Sequence, residues 1–255
     1  MGGDSSNRDL VDYCLRLGDN CLILGHRVSE WCGHAPVLEE DIAMANVALD
    51  LIGQARLWLG LAGELEGQGR DADRLAYHRD AGGFRNLLLV EQPNGDFGQT
   101  LVRQLFFDLW HDLLLQRLSA SEEPRIAEIA RKAAKEVTYH LTRSRDMVVR
   151  LGDGSEESHR RMQAAVERLW PFTGELLAAD ALDRRLAAAG IGADLAVLAP
   201  LWEERIEEIL EAATLTRPQQ AWMQEGGKQG RHGEGLGYIL AEMQFLQRAY
   251  PGARW

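Results

Sequence analysis

Leu101-Val-Arg-Gln-Leu-Phe-Phe-Asp108-Leu-Trp-His111 and, farther on, Ala134-Lys-Glu136-Val-Thr-Tyr139-His140 are the stretches that decide the fold. Both carry metal-type side chains at helical spacing within apolar surroundings. A di-iron carboxylate bundle takes one Glu from each of two helices and a Glu-x-x-His pair from each of the other two, all projecting inward. Here the first pair is Asp-x-x-His, and the second is Glu-x-x-Tyr with a histidine one place late. The pattern is that of a di-iron helical bundle whose ligand set is incomplete.

Reading outward from these two segments, helical periodicity covers most of the chain. Leu10, Cys14, Leu17, Cys21, Leu24, Val28 and Trp31 alternate steps of four and three, which places them on one stripe of a first helix. That helix is expected to stop near Gly33-His-Ala-Pro36. Glu39, Glu40 and Asp41 then suit the first turn of a second helix, where the macrodipole favours negative charge. This second helix is apolar on two faces, one through Ile42, Leu49, Ile52 and Leu59, the other through Met44, Leu51, Trp58 and Leu65. A helix apolar on two sides is deeply buried or has two neighbours. Residues 67–98 are punctuated by glycines and Pro93 and read as the long crossover that some four-helix bundles require. A third helix is predicted over about 97–118, and a fourth from Pro124 to Leu151. Further helices are predicted over about 156–182 (kinked at Pro171), 195–214 and 235–249.

These readings give an all-α four-helix bundle with a long crossover and additional C-terminal helices. Residues 1–8 read as a short disordered tail, and 9–255 as a single domain. Within it the core bundle takes about 9–152 and the C-terminal helices about 155–250.

Composition narrows the function classes. With 28 Lys plus Arg against 39 Asp plus Glu, the formal charge is −11, which argues against nucleic-acid binding through clustered cations. No apolar run reaches about 18 residues, so no membrane span is expected. The three cysteines, Cys14, Cys21 and Cys32, lack Cys-x-x-Cys spacing and fit a reducing, cytoplasmic setting. No Gly-x-Ser-x-Gly elbow, P-loop or dinucleotide fingerprint is present.

The candidate site is a polar cluster of Asp50, Asp108, His111, Glu136 and His140. Asp108 and His111 lie on the stripe Leu101, Leu105, Asp108, His111, Leu115. Glu136 and His140 lie on the stripe Ile129, Ala133, Glu136, His140, Arg143. Buried charges must be paired or neutralised, either by a metal or by a salt-bridge network in which an arginine takes the place of the cations. The ligand count favours the network, since Gly53 stands where helix two would need its histidine. The one literal Glu-x-x-His, Glu156-Glu-Ser-His159, opens a helix after a Gly-Asp-Gly turn, where acidic residues suit the helix start. Lys228 and Arg231, on the glycine-rich loop Gly226–Gly235, are candidate contacts for the phosphates of a coenzyme A tail.

Several segments resemble a known family. Arg16-Leu-Gly-Asp-Asn-Cys-Leu, Glu30-Trp-Cys-Gly-His-Ala-Pro36, Ala48-Leu-Asp-Leu-Ile-Gly-Gln-Ala-Arg56 and Leu87-Leu-Leu-Val-Glu-Gln-Pro-Asn-Gly95 are similar to the structural C subunits (PaaC) of phenylacetyl-CoA epoxidase, also called phenylacetate-CoA oxygenase. Gly226-Gly-Lys228 and the ending Leu246-Gln-Arg…Pro251-Gly-Ala-Arg-Trp255 are similar too. The resemblance implies a ferritin-like subunit of a multicomponent monooxygenase that uses O2 and NADPH to form the ring 1,2-epoxide of phenylacetyl-CoA. It implies a di-iron catalytic A subunit as partner, with further subunits and a reductase. By the same resemblance, this chain is expected to hold no cofactor and not to be catalytic by itself. The alternative is a di-iron or manganese carboxylate oxygenase or oxidase in its own right, with an atypical ligand set.

Overall fold

The structure, a computed structural model, describes residues 2–219 and 222–253; Arg254 and Trp255, part of the last similar segment, lie outside the described residues. The fold is all-α, of the ferritin-like bundle class, with no strand among the described residues. The chain divides into two compact units, one of residues 1–93 and 226–255, the other of residues 94–225.

The first unit is built on two long helices, α1 (Gly2–Ser29) and α2 (Leu38–Glu66). The seam of α1 predicted from periodicity is buried throughout, from Leu10 through Cys14, Leu17, Cys21 and Leu24 to Val28. Gly18 and Gly25 let the two backbones approach closely. A methyl group at Gly18 would sit 2.7 Å from the Leu59 side chain, and one at Gly25 would sit 3.0 Å from Ile52. The turn between the helices is held by Asp41, whose carboxylate accepts from the Gly33 and Ala35 amides. Two expectations change here. Helix α1 starts at Gly2, so residues 2–8 continue the helix; the Asn7 side chain donates to the Leu65 carbonyl at the end of α2. Of the two apolar faces of α2, Met44, Leu51 and Trp58 are buried; the other is split, with Leu59 buried and Ile52 half-buried against α1 while Ile42 and Leu49 are exposed.

After α2 the chain turns at Gly67, in the left-handed region at φ 67°. The stretch read as irregular contains a short helix, α3 (Ala72–Tyr77), capped by Asp71, and a 3-10 turn over Ala81–Gly83.

The second unit opens with α4 (Phe97–Leu118), whose N-cap Asp96 accepts from the Gln99 amide at 2.9 Å. Every residue of α4 from Gly98 to Leu115 is buried. Helix α5 (Pro124–Gly152) starts with proline at its first position, where a missing N–H costs nothing. Its buried seam runs Ile126, Ala130, Ala133, Val137, His140, Ser144 and Val148. Then follow α6 (Glu156–Leu169), a 3-10 turn at Trp170–Phe172, and the short helices α7 (Gly174–Leu177) and α8 (Ala181–Ala188). Pro171 thus ends the predicted 156–182 helix instead of kinking it, because its ring removes an amide donor. Helix α9 (Leu195–Ala212) closes the second unit. The chain then returns to the first unit with α10 (Glu234–Met243) and α11 (Phe245–Ala249), a break in the single predicted last helix.

Candidate functional site

Three of the five cluster residues meet between α4 and α5 in the second unit. Asp108, His111 and His140 are each at most 2% exposed. Asp108 accepts from the Gln104 side-chain amide at 3.2 Å. Burial pushes its carboxyl up to about 6, against the opposing pull of His140 and Arg143. Burial also pushes His111 down to about 3, with the neighbouring His140 acting in the same direction. His111 is therefore a neutral imidazole at neutral pH, wedged between Phe107 (ring centroids 5.0 Å apart) and Trp110. Its Nδ1, like the Gln104 carbonyl oxygen, is buried without a hydrogen-bond partner among the described residues.

The other two cluster residues are placed differently. Glu136 is half-buried, because the seam of α5 passes through Val137 and Ser144, one position away from the predicted Glu136 and Arg143. One residue of offset rotates a side chain about 100° around a helix. Asp50, on α2 in the first unit, is half-buried as well. The cluster expected to be buried thus keeps only three of its five members in the interior.

This donor set does not fit a di-iron centre. Two irons in a carboxylate bundle need four carboxylates and two histidines, and here Asp108 stands beside two histidines while the other buried carboxylate between α4 and α5, Asp112, accepts from Thr138 and Gln116. Among the described residues no three His, Cys, Asp or Glu side chains gather closely enough to hold a metal ion. Gln104, at i−4 from Asp108, donates its side-chain amide to the carboxylate. The literal Glu156-x-x-His159 pair lies at the start of α6. There His159 Nδ1 lies 2.8 Å from the Gly152 carbonyl at the end of α5.

Lys228 and Arg231 are separated by burial. Lys228 is only 7% exposed, within a 3-10 turn over Gly227–Gln229, while Arg231 is exposed. The third basic side chain of this glycine-rich loop, grouped with Lys228 and Arg231 in the sequence as able to hold a phosphate, is turned inward instead. His232 is nearly enclosed, its Nδ1 2.9 Å from Glu91 and its Nε2 3.0 Å from the Phe84 carbonyl. Both partners can only accept from the ring, so both ring nitrogens carry hydrogen and the imidazole is cationic. Burial lowers its pKa, but the bonds to Glu91 and Phe84 and the field of Asp19 outweigh that, and the net shift is upward. Glu91 also accepts from the Gly233 amide (2.6 Å) and from Asn86 (3.1 Å). Beside this group, Asp19 is fully buried against Arg79 and accepts from the Arg85 amide. Arg79 lies 4.3 Å over the Phe84 ring. The polar residues inside Arg16-Leu-Gly-Asp19-Asn20 and Leu87-Leu-Leu-Val-Glu91 were the available signal, since each interrupts an apolar run.

Comparison with known proteins agrees with the resemblance carried by those segments. Residues 2–255 match the family described as "Phenylacetic acid catabolic protein". The chain is also 52% identical, over 246 residues, to the C subunit of the 1,2-phenylacetyl-CoA epoxidase of Escherichia coli (strain K12), covering 96% of this chain and 99% of that relative. With a match along nearly its whole length and a relative of such high identity, the chain belongs to the phenylacetic acid catabolic protein family.

Proposed function

We propose that this chain is the non-catalytic structural subunit of a multicomponent phenylacetyl-CoA epoxidase, pairing in the cytoplasm with a di-iron catalytic A subunit. The observation that carries the reading is the donor set between α4 and α5. Asp108 is the one carboxylate beside the two buried histidines, and the other buried carboxylate, Asp112, is taken up by Thr138 and Gln116, so the set falls short of the four carboxylates of a di-iron pair. The identity to an epoxidase C subunit supports the assembly. So does an exposed apolar stripe on α2, with Leu38 and Leu49 both well over half exposed, since exposed apolar patches on a soluble chain mark interaction surfaces. No described helix is long and apolar enough to cross a membrane. In this role the chain contributes a folded surface to the complex, and the oxygen chemistry belongs to its partner.

Elemental analysis of the purified chain after growth in iron-replete medium tests the reading. Well under one iron per chain is expected. About two irons per chain, the loading of a di-iron bundle, would return the metal chemistry to this chain and overturn the proposal.

A further inference from the structure

We propose that the exposed face of α10 and α11, in the first unit, docks an amphipathic helix of a partner protein whose apolar anchors are flanked by cationic side chains. Tyr238, Phe245, Leu246 and Tyr250 lie on these helices or just after them, each 46–65% exposed. Besides Val37, Leu38, Ile42 and Leu49 near the start of α2, they are the only exposed large apolar side chains of that unit among the described residues. Tyr238, Glu242, Phe245 and Ala249 recur at steps of four, three and four, so they share one face. Beside that face runs a groove of about 530 Å³, walled by Ala81, Gly237, Ala241, Phe245 and Ala249 over a floor of Leu240. Such small wall residues let a second helix come close, as in helix-in-groove recognition.

The face is a fixed platform. Leu236, Ile239 and Leu240 are buried beneath it, and the Gln244 side chain donates to the Ala76 and Arg79 carbonyls at 3.0 and 2.9 Å. Arg248 donates to the Arg79 carbonyl at 3.0 Å and pairs with Asp80 at 2.9 Å. An incoming helix would meet a backbone that is already ordered, which lowers the entropic cost of binding.

Area and charge choose the occupant. Three aromatic side chains of about 150–250 Å² each, roughly three-fifths exposed, present about 300–450 Å². That is the size of a functional surface patch, but only about half of the roughly 800 Å² that each partner gives to a stable subunit contact. One helix therefore fits the face better than a second globular subunit. Asp80 is 90% exposed, and Glu234 and Glu242 are exposed on α10. The one cation lining the groove, Arg248, is held on Asp80. Three carboxylates against one arginine leave the face negative. Two copies of this chain meeting here would repel each other, whereas Lys or Arg beside an apolar anchor would be attracted.

Fluorescence anisotropy of the full chain with dye-labelled synthetic helices tests the proposal. The probes are an amphipathic helix of leucine and lysine and its counterpart of leucine and glutamate. The lysine helix is expected to bind saturably, and the glutamate helix at least about tenfold more weakly. Phe245→Asp should weaken the lysine helix at least about tenfold, as loss of a hot-spot aromatic does. The substitution adds a negative charge, so attraction by net charge alone would tighten binding instead. Leu49→Asp, on α2, should leave the affinity unchanged. Absence of saturation, equal affinity for the two helices, insensitivity to Phe245→Asp, or loss of binding with Leu49→Asp would each overturn the proposal. So would a dimer of the chain alone, seen by sedimentation equilibrium, that Phe245→Asp dissolves, since the groove would then belong to a second copy. If Phe245→Asp melts early, Tyr238→Asp at the other end of the face decides by the same criteria. The site does not depend on the subunit role, so its failure would leave that role untouched.

Discussion

Asp108 and His111 sit one helical turn apart and are perturbed by the same burial with opposite consequences for stability. The Asp108 carboxyl is raised from 3.8 to about 6, so between those values the folded chain binds more protons than the unfolded one and loses stability as pH rises. His111 is lowered from 6.5 to about 3, so across that window the unfolded chain binds more protons and stability grows with pH. Between about pH 4 and 6 the two slopes oppose each other and nearly cancel. Asp108→Asn removes one of them. The variant should gain a slope of about 1.4 kcal/mol per pH unit over that range. It should also be more stable than the parent at pH 7.5, where the ionised carboxylate is costly. Urea denaturation at pH 4, 5, 6 and 7.5 reads both quantities, and parallel curves for parent and variant would show that Asp108 is solvated. His232 has the sign of Asp108, opposite to that of His111. Its pKa is raised in the folded state, so its contribution is full below pH 6.5 and is lost as pH rises through the folded value. His232→Gln should therefore be destabilised most at pH 6 and approach the parent at pH 9. A destabilisation that grows with pH would contradict the cationic ring.

At the scale of elements, the termini and glycines carry more of the fold than propensity does. Gly63 lies one turn before the end of α2, and a methyl group there would overlap the Arg70 carbonyl of the chain folding back. Because backbone would have to move, Gly63→Ala is expected to cost about 1–3 kcal/mol, the usual range for overpacking, and thermal melting measures it. Gly53→Ala, on the same helix with open space around it, should be neutral to stabilising. If both variants melt alike, the close return of residues 67–71 over α2 is wrong. Long helices with a regular stripe were legible from the sequence: α4 and α5 begin at Phe97 and Pro124 as predicted, and the α1 seam was found from Leu10 to Val28. The seam of α5 was not. Its stripe is made of Ala130, Ala133, Val137 and Ser144, small residues that interlock with a neighbour but carry a weak hydrophobic signal. The larger Ile129, Glu136, Arg143 and Met147 line an adjacent face and drew the predicted stripe toward themselves. The same offset moved Glu136 out of the interior and hid Ser144, which is buried on the true seam. Short helices such as α3 and α8 were missed because too few residues span them for a period to show. Their Asp71 and Asp180 caps were the readable sign.

At the scale of the whole molecule, the two apolar faces of α2 carry the argument about assembly. One face packs within the first unit through Met44, Leu51 and Trp58. The other packs on α1 only at its C-terminal end, through Ile52 and Leu59, and leaves Leu38, Ile42 and Leu49 more than half exposed. Sequence alone revealed both faces but not which of them the chain itself uses, because the pattern records hydrophobicity and not the neighbour that covers it. An exposed aliphatic side chain costs little in an isolated chain, yet its burial against a partner is worth about 1.5–3 kcal/mol. Co-expression with the di-iron A subunit of the same epoxidase, followed by size-exclusion chromatography, is therefore expected to give one co-eluting complex. The isolated chain should show no epoxidase turnover. Leu49→Asp should weaken co-elution by at least about tenfold in apparent affinity, since it buries a charge at the contact, while leaving the melting temperature of the isolated chain within a degree or so, as exposed substitutions usually do. Co-elution that survives Leu49→Asp and Ile42→Asp together would move the contact to another face. Separate elution of the two unaltered subunits at micromolar concentration, or turnover by this chain alone, would end the subunit reading itself.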